Sequence, residues 1–169
     1  ISFLSIPGAK EVGLEINSLS KSFSLAGARI AYLVGNAEAI QIISELNSNL
    51  DYGVFAPIQE AAVTALDHAE EITDRLREIF SERHHILMKG LKELKWEATH
   101  SNGGMFIWAK YPYEIDDKEF VFKVIEQAGV VMVPGSVFGT EGKGFVRIAL
   151  VQNAENLQLA IEKLKKLKM

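Results

Sequence analysis

A lysine, an arginine and several serines lie close together near the start of the sequence. Residues 18–29 read Ser-Leu-Ser-Lys-Ser-Phe-Ser-Leu-Ala-Gly-Ala-Arg. A lysine amine can form a Schiff base with an aldehyde, and burial or a neighbouring cation makes it a better nucleophile because it then loses its proton more readily. Arg29 could grip a phosphate through two parallel hydrogen bonds, with Ser18 and Ser20 donating more. The segment therefore suits a phosphorylated carbonyl compound bound at Lys21.

Each candidate cation also has a structural alternative. On composition alone, the segment around Lys21 is typical of an exposed Ser-rich turn with a solvated lysine. Arg147 lies in the middle of an apolar strand pattern, where an unpaired guanidinium would cost several kcal/mol, so it needs an anionic partner. That partner could be a structural carboxylate such as Glu114 or Asp117, or it could be a bound substrate.

Short apolar runs on either side of the lysine segment predict two strands joined by a loop. Helical periodicity follows, and Pro57 lies where a helix would begin. Turn-forming residues at 47–53 separate the two helices. The elements predicted for this part of the chain are strands over residues 14–17 and 30–34 and helices over residues 37–46 and 58–66.

A long helix and a strand-rich region occupy the rest of the chain. Apolar residues recur at three- and four-residue steps over residues 71–94, which predicts one helix long enough to link two lobes. The remaining predicted elements are strands over residues 105–110, 130–133 and 145–151, a helix over residues 117–128 and a helix from residue 153.

Composition argues against several classes of partner. The 169 residues are 48% hydrophobic and 24% charged, as in a globular protein. A net charge of -4 without a long basic run indicates neither nucleic acid nor an anionic membrane as partner, and no stretch reaches the roughly 18 apolar residues of a membrane span. There is no cysteine, and the histidines lack the spacing of metal ligands. We expect a cytoplasmic protein without a metal and with a small metabolite as its partner.

The lysine segment resembles the signature of the class I and II aminotransferases, enzymes of fold type I that depend on pyridoxal phosphate. In that signature Ser-x-Ser-Lys is followed by an aromatic residue, a glycine and an arginine at this spacing, and then by a strand of small residues. The match is far more specific than a lone glycine-rich loop. The matching positions are Ser18, Ser20, Lys21, Phe23, Gly27, Arg29 and Ala31.

The resemblance implies roles for five residues. Lys21 would bind pyridoxal phosphate covalently and then move a proton between the substrate Cα and the cofactor C4′. Ser18, Ser20 and Arg29 would bind the cofactor phosphate. Arg147 lies where the family places the arginine that binds the substrate α-carboxylate, which favours substrate over a structural carboxylate as its partner.

Three further stretches resemble the family less specifically. Residues 102–106 resemble its Gly-Gly-x-Phe element, and residues 133–139 resemble its Pro-Gly-x-x-Phe-Gly turn near the substrate. Ordinary turn geometry of glycine could account for both. Residues 52–57 resemble the segment that reaches the dimer interface in these enzymes, so we expect a homodimer.

The resemblance covers essentially the whole chain and implies the C-terminal part of such an enzyme. We predict a mixed α/β fold: a remnant of the large cofactor-binding α/β domain over residues 1–75, a connecting helix over residues 76–95, and a small α+β domain with a helix-covered sheet over residues 96–169. The chain opens on Ile1 rather than Met, so we expect a fragment. Other cofactor-binding residues of the family have no counterpart here, and we expect the fragment to be inactive alone.

The implied reaction of the full-length protein is transamination between an L-amino acid and a 2-oxo acid, of the aspartate aminotransferase type. We expect acidic or broad-range amino acids, with 2-oxoglutarate as acceptor. Other fold-type-I enzymes share the lysine motif, so a carbon-sulfur lyase, an amino-acid decarboxylase or an aminocyclopropane-carboxylate synthase stays open. A noncatalytic dimerisation or folding module that keeps the motif is a further alternative.

Overall fold

Antiparallel strands and the helices packed on them form both units of the chain, which divide between Leu76 and Arg77. The computed structural model describes residues 2–169. The predicted mixed α/β class is confirmed. The predicted assignment of residues 1–75, 76–95 and 96–169 to parts of a larger enzyme stays a prediction.

The first unit is built around a two-stranded sheet. Its strands pair in antiparallel register from Leu14 opposite Gly35 to Ser18 opposite Ala31, so the chain reverses within the lysine segment. The elements of this unit are α1 (Ala9–Val12), β1 (Leu14–Ser18), α2 (Leu19–Ser22), β2 (Ala31–Gly35), α3 (Ala37–Leu50), α4 (Ala56–Asp67) and the first part of α5 (Ala69–Glu93).

Two predictions for this unit were wrong in detail. The connection between β1 and β2 is not a plain loop, because it contains the helical turn α2 and a 3-10 turn at Ala26–Ala28. Helix α3 continues to Leu50 instead of ending at residue 46. Its polar residues Ser48 and Asn49 donate side-chain hydrogen bonds to the Glu45 carbonyl at 2.7 Å each, so their side chains bond to the preceding turn of the helix and do not end it.

The second unit is a four-stranded antiparallel sheet in the order β3-β4-β6-β5, covered by helices. Local capping fixes α6 at both ends: Asp116 accepts a hydrogen bond from the Lys118 amide at 3.0 Å, and Gly129 ends the helix at φ 63°. The elements are the rest of α5, β3 (Glu97–Ala98), β4 (Phe106–Lys110), α6 (Asp117–Ala128), β5 (Val133–Pro134), β6 (Phe145–Ala149) and α7 (Ala154–Leu164).

The two faces of this sheet differ because side chains alternate along each strand. On one face Ile107 and Val146 are fully buried in a core that α5, α6 and α7 complete. The opposite face carries Trp108 and Arg147, which lie directly across from each other on β4 and β6. The open face of the small sheet is therefore the one that presents polar and aromatic side chains.

The predicted strand over residues 130–133 was largely wrong, since only Val133 and Pro134 pair with β6. Met132 is 5% exposed and belongs to the core, and Val130 packs against it. Their apolar character therefore reflects core packing rather than strand pairing. Sequence patterns do not separate these two causes in a short apolar run.

Candidate active site

Lys21 lies on α2, a single helical turn that begins directly after β1. The Ser18 hydroxyl caps this turn by accepting a hydrogen bond from the Ser20 amide at 3.1 Å. The Leu19 amide donates to the Ile30 carbonyl at 3.3 Å and thereby ties the turn to the residue before β2. The Lys21 side chain is exposed, so the turn presents its amine on a backbone that is bonded at both ends.

Leu19 anchors the turn in the core of the first unit. Its side chain is 1% exposed and packs with Ala62 and Ala65 of α4. Because Leu19 and Lys21 are two residues apart on one helical turn, burial of the first turns the second away from the core. The apolar anchor is thus part of the reason that the amine is accessible.

Arg29 and Ser24 adopt the left-handed backbone conformation, with φ of 53° and 56°. This region is uncommon for residues other than glycine, and such residues cluster at functional sites. Arg29 is exposed and donates one hydrogen bond from Nη1 to the Ala26 carbonyl at 3.0 Å. This bond folds the guanidinium over the 3-10 turn of its own connection.

Arg147 projects from the open face of the small sheet and lies close to two aromatic rings. Its guanidinium carbon lies 4.3 Å from the centroid of the Phe106 ring and 4.6 Å from that of Phe138. Phe106 begins β4, whereas Phe138 belongs to the 3-10 turn Gly135–Phe138 that follows β5. Both contacts are within the range of cation–π attraction.

The charge of Arg147 is not neutralised by a carboxylate within residues 2–169. Its Nε atom is buried and has no hydrogen-bond partner there. Of the two carboxylates that the sequence offered as structural partners, Glu114 is exposed, and Asp117 accepts a hydrogen bond from the Ser136 amide at 2.6 Å. The structural-carboxylate alternative therefore has no support in this geometry.

Asp117 is a buried carboxylate that holds the turn beside Arg147. Burial on its own would raise the pKa of Asp117, but hydrogen bonds to the carboxylate, led by that from the Ser136 amide, outweigh burial and lower the pKa from its ordinary value. Burial, followed by the nearby carboxylates Asp117 and Asp116, raises the pKa of Tyr111 to about 12. Asp117 is thus held ionised and Tyr111 neutral across the ordinary pH range.

Phe106, Phe138 and Asp117 were given no functional role on sequence grounds. The signal for the two phenylalanines was present, because they are the aromatic positions of the Gly-Gly-x-Phe and Pro-Gly-x-x-Phe-Gly stretches. Their convergence on one guanidinium depends on the pairing of β4 with β6 and on the turn after β5. For Asp117, the sequence offered only the alternative of a structural partner for Arg147, whereas its observed partner is the Ser136 amide.

The predicted cofactor residues and the predicted substrate residue lie in different units. Ser18 is the last residue of β1, and Ser20, Lys21 and Arg29 belong to the connection between β1 and β2 of the first unit. Arg147 belongs to β6 of the second unit. The four proposed cofactor ligands therefore lie on the end of β1 and the connection that follows it.

Two of the histidines contact each other through their rings. The rings of His84 and His100 meet edge to face at 4.7 Å, and burial, followed by His100 and His85, lowers the pKa of His84. Across residues 2–169, no cluster of three or more His, Asp or Glu side chains is arranged to hold a metal ion. In the same part of the chain, every helix is too short or too polar to cross a membrane.

Comparison with known proteins identifies the family. Residues 7–164 match the profile of the aminotransferase class I and II family. The chain belongs to this family, whose members depend on pyridoxal phosphate.

The chain is similar to curated aminotransferases of bacteria. It is 39% identical over 164 residues to the LL-diaminopimelate aminotransferase of Halothermothrix orenii, a match that covers 97% of this chain and 42% of that protein. It is 37% identical over 168 residues to the LL-diaminopimelate aminotransferase of Aquifex aeolicus, covering 99% of this chain and 43% of that protein. The chain therefore spans less than half the length of the curated relatives that it matches.

Solved structures of the family have the same fold over this region. Substrate-bound BacF from Bacillus subtilis superimposes with a TM-score of 0.93 at 36% identity, covering 99% of this chain and 43% of that one. A probable N-succinyldiaminopimelate aminotransferase from Thermus thermophilus gives a TM-score of 0.87 at 34% identity, and the match covers 98% of this chain and 44% of that one. The matched region is the C-terminal portion of these enzymes, as the sequence predicted.

The residues on the connection between β1 and β2 have the chemistry that pyridoxal phosphate requires. The exposed Lys21 amine can bond to an aldehyde carbon. The hydroxyls of Ser18 and Ser20 and the Arg29 guanidinium are hydrogen-bond donors suited to a phosphate dianion. No acidic residue lies between positions 18 and 29 to repel that dianion. The donor set therefore fits the cofactor.

Proposed function

We propose that this chain, in the protein at its natural length, is part of a pyridoxal-phosphate-dependent aminotransferase that moves an amino group between an L-amino acid and a 2-oxo acid. The proposal rests mainly on the exposure of the Lys21 side chain, which lies on a turn that Ser18 caps and Leu19 anchors. Members of the family use pyridoxal phosphate, which is the cofactor that such an amine would bind. Ser18, Ser20 and Arg29 would hold the cofactor phosphate.

Each proposed role follows from the chemistry of one side chain. Bound pyridoxal phosphate supplies an electron-withdrawing ring that stabilises negative charge on the substrate Cα. The Lys21 amine would take the proton from Cα and return it to the cofactor C4′, acting first as base and then as acid. Arg147 would hold the substrate α-carboxylate, because its guanidinium offers parallel N–H donors and has no carboxylate partner within residues 2–169.

The amino donor we propose is a diamino dicarboxylic acid of the diaminopimelate type, with 2-oxoglutarate as acceptor. The support comes from relatives, since proteins named LL-diaminopimelate aminotransferase are 35% to 39% identical to this chain. The structure of a probable N-succinyldiaminopimelate aminotransferase supports an amino donor related to diaminopimelate. This donor is more specific than the acidic or broad-range amino acid that the sequence favoured.

We also propose that the natural-length protein is a homodimer. The support is the exposed segment between α3 and α4, in which Phe55 is 71% exposed and Tyr52 is fully exposed. Large apolar side chains in contact with water favour association with another surface. The segment is the one that resembles the dimer-interface region of the family.

The cofactor role is tested by trapping the lysine. The natural-length protein is incubated with pyridoxal phosphate, reduced with borohydride and mapped by peptide mass spectrometry. We expect a pyridoxyl group on Lys21 that disappears in Lys21→Ala and persists in Lys10→Ala, since Lys10 is also an exposed lysine of the first unit. Labelling that is absent, or that is unaffected by Lys21→Ala, would exclude the proposed role.

The reaction is tested by product analysis. LL-diaminopimelate, aspartate and an aromatic amino acid are each supplied with 2-oxoglutarate, and glutamate formation is measured. We expect glutamate from LL-diaminopimelate at the highest kcat/KM. Release of carbon dioxide, sulfide or aminocyclopropane carboxylate from a suitable amino acid, without glutamate, would replace transamination by one of the other fold-type-I reactions.

A further inference from the structure

The guanidinium of Arg147 lies against two aromatic rings. Phe106 lies 4.3 Å and Phe138 lies 4.6 Å from the guanidinium carbon, measured to the ring centroids. We call these two rings and the guanidinium the aromatic clamp. The two phenylalanines come from a strand and from a 3-10 turn that follows another strand, so the clamp exists only once the sheet of the second unit has formed.

The clamp leaves hydrogen-bond donors of Arg147 for a ligand. Nε is buried and without a hydrogen-bond partner in the described part of the chain, so it adds no competing interaction. A cation–π contact with a ring face uses none of the N–H donors of the guanidinium for a hydrogen bond, so these donors stay available to a ligand. A planar carboxylate pairs with such donors through two parallel hydrogen bonds.

The rings also limit how far the guanidinium can move. Phe138 is itself held, because Trp108 meets it edge to face at 5.6 Å and also stacks on Phe145 at 5.5 Å with an interplanar angle of 15°. The start of the turn that carries Phe138 is fixed by the bond from the Ser136 amide to Asp117 at 2.6 Å. The clamp is therefore supported from behind by a packed aromatic row and a buried hydrogen bond.

We propose that Phe106 and Phe138 are positioning residues that hold the Arg147 guanidinium in the plane required for bidentate binding of a substrate carboxylate. The inference rests on the proposed function for the identity of the carboxylate as that of an amino acid. It goes beyond that function because it assigns a role to two side chains that do not themselves bond to the carboxylate. These side chains orient the guanidinium and thereby strengthen carboxylate binding. Loss of either ring weakens carboxylate binding without removing the cofactor.

The test is carboxylate binding to the natural-length protein loaded with pyridoxal phosphate. Succinate is the probe, since it has carboxylates but no amino group to react, and its Kd is measured by titration calorimetry. We expect Phe138→Leu and Phe106→Leu to raise Kd about five- to ten-fold, because leucine keeps apolar volume but has no ring face. Phe138→Tyr keeps the ring face and should bind succinate within about two-fold of the unaltered protein.

Two further measurements separate positioning from general damage. Phe122→Leu is the matched control, because Phe122 is a 67% exposed phenylalanine on α6 of the same unit, and it should leave Kd unchanged. In turnover assays the clamp variants should raise KM for the amino acid by a similar factor while kcat at saturation changes less than about two-fold. Where Phe138→Leu does not fold, Phe106→Leu and Phe138→Tyr still decide the question.

The outcomes distinguish this inference from the proposed function. If both leucine variants bind succinate as tightly as the unaltered protein, or if the unaltered protein does not bind succinate, the inference is wrong, whether or not transamination is observed. If succinate binding depends on the rings but no amino group is transferred, the clamp stands as a carboxylate site and the proposed function fails. If Phe122→Leu weakens succinate binding as much as Phe106→Leu and Phe138→Leu do, the inference is also wrong.

Discussion

Leu19 holds the turn that carries Lys21 in place through both its backbone and its side chain. Its carbonyl accepts hydrogen bonds from the amides of Phe23 and Leu25, each at 3.2 Å, and its own amide donates to Ile30. Its side chain is buried with that of Ala65. One apolar residue therefore joins the turn, the following connection and α4 into one small core.

We predict that Leu19→Ala lowers the free energy of unfolding by about 2 to 4 kcal/mol, since it removes a fully buried side chain and leaves a cavity. Denaturant unfolding of the natural-length protein measures the change. Leu159→Ala is the control, because Leu159 is 53% exposed on α7 and should cost less than about 1 kcal/mol. Equal unfolding midpoints for the two variants would contradict the role assigned to Leu19.

At the scale of elements, the 3-10 turn Gly135–Phe138 links α6 to the sheet face that carries Arg147. The amide of Ser136 bonds to Asp117 at the start of α6, and Phe138 reaches the guanidinium. Gly135 and Gly142 approach so closely that a Cβ on either would overlap the carbonyl oxygen of the other. The turn is thus held by the buried Asp117 carboxylate, and its close backbone approach requires glycine at positions 135 and 142.

The acid stability of the protein should depend on Asp117. Its pKa is lowered in the folded protein, so its ionised form contributes stability that is fully present above its ordinary pKa of 3.8 and is lost as the pH falls through the lower folded value. We predict that Asp117→Asn lowers Tm at neutral pH and flattens the fall of Tm on acidification. Thermal unfolding from about pH 6 to about pH 2 tests this, and parallel curves for the two proteins would contradict it.

Gly135→Ala should damage the same turn by a different route. The added methyl group would overlap the Gly142 carbonyl oxygen, so the backbone must shift at a cost of about 1 to 3 kcal/mol. We also expect weaker succinate binding, because Phe138 moves with the turn. Gly103→Ala is the matched control, since its Cβ would meet no atom within 4 Å. Similar stability and similar Kd in both variants would contradict the close approach.

At the scale of the molecule, the two units contain cores of different extent. The buried cluster of the first unit consists of Leu19, Ala62 and Ala65. The cluster of the second unit draws on α5, α6, α7 and the four-stranded sheet, and it includes a stack of Tyr111 on Phe120 at 3.9 Å. Because burial of apolar surface is the main source of stability, the second unit should be the more stable part of this chain.

Hydrogen exchange of the 169-residue chain tests that difference. We predict slower amide exchange in residues 77–169 than in residues 2–76, because local opening is easier where few apolar contacts must be broken. Helix α5 (Ala69–Glu93) provides an internal control, since its residues lie on both sides of the boundary at Leu76. Equal protection along the whole of α5 would show that the two units open together.

Much of the fold could be predicted because the signals are local. Helix α6 has the bounds that the sequence predicted, since its cap Asp116 and its terminating Gly129 act within a few residues of the helix ends. The two strands beside the lysine segment were predicted to within one residue. Predictions failed where a polar or apolar residue had two possible environments, as with Ser48 inside α3 and Met132 in the core.

The sequence by itself determined the chemistry: an amine, hydroxyls and a guanidinium within one connection, an arginine in a later strand, and the family to which they belong. The tertiary structure decided which groups Arg147 meets. It brings the rings of Phe106 and Phe138 into contact with the guanidinium, and it makes the Ser136 amide the hydrogen-bond donor to Asp117. The physical reason is the separation along the sequence of the residues in contact. Capping and turn hydrogen bonds join residues that are neighbours in the chain, whereas ring contacts across a sheet depend on strand pairing between distant segments.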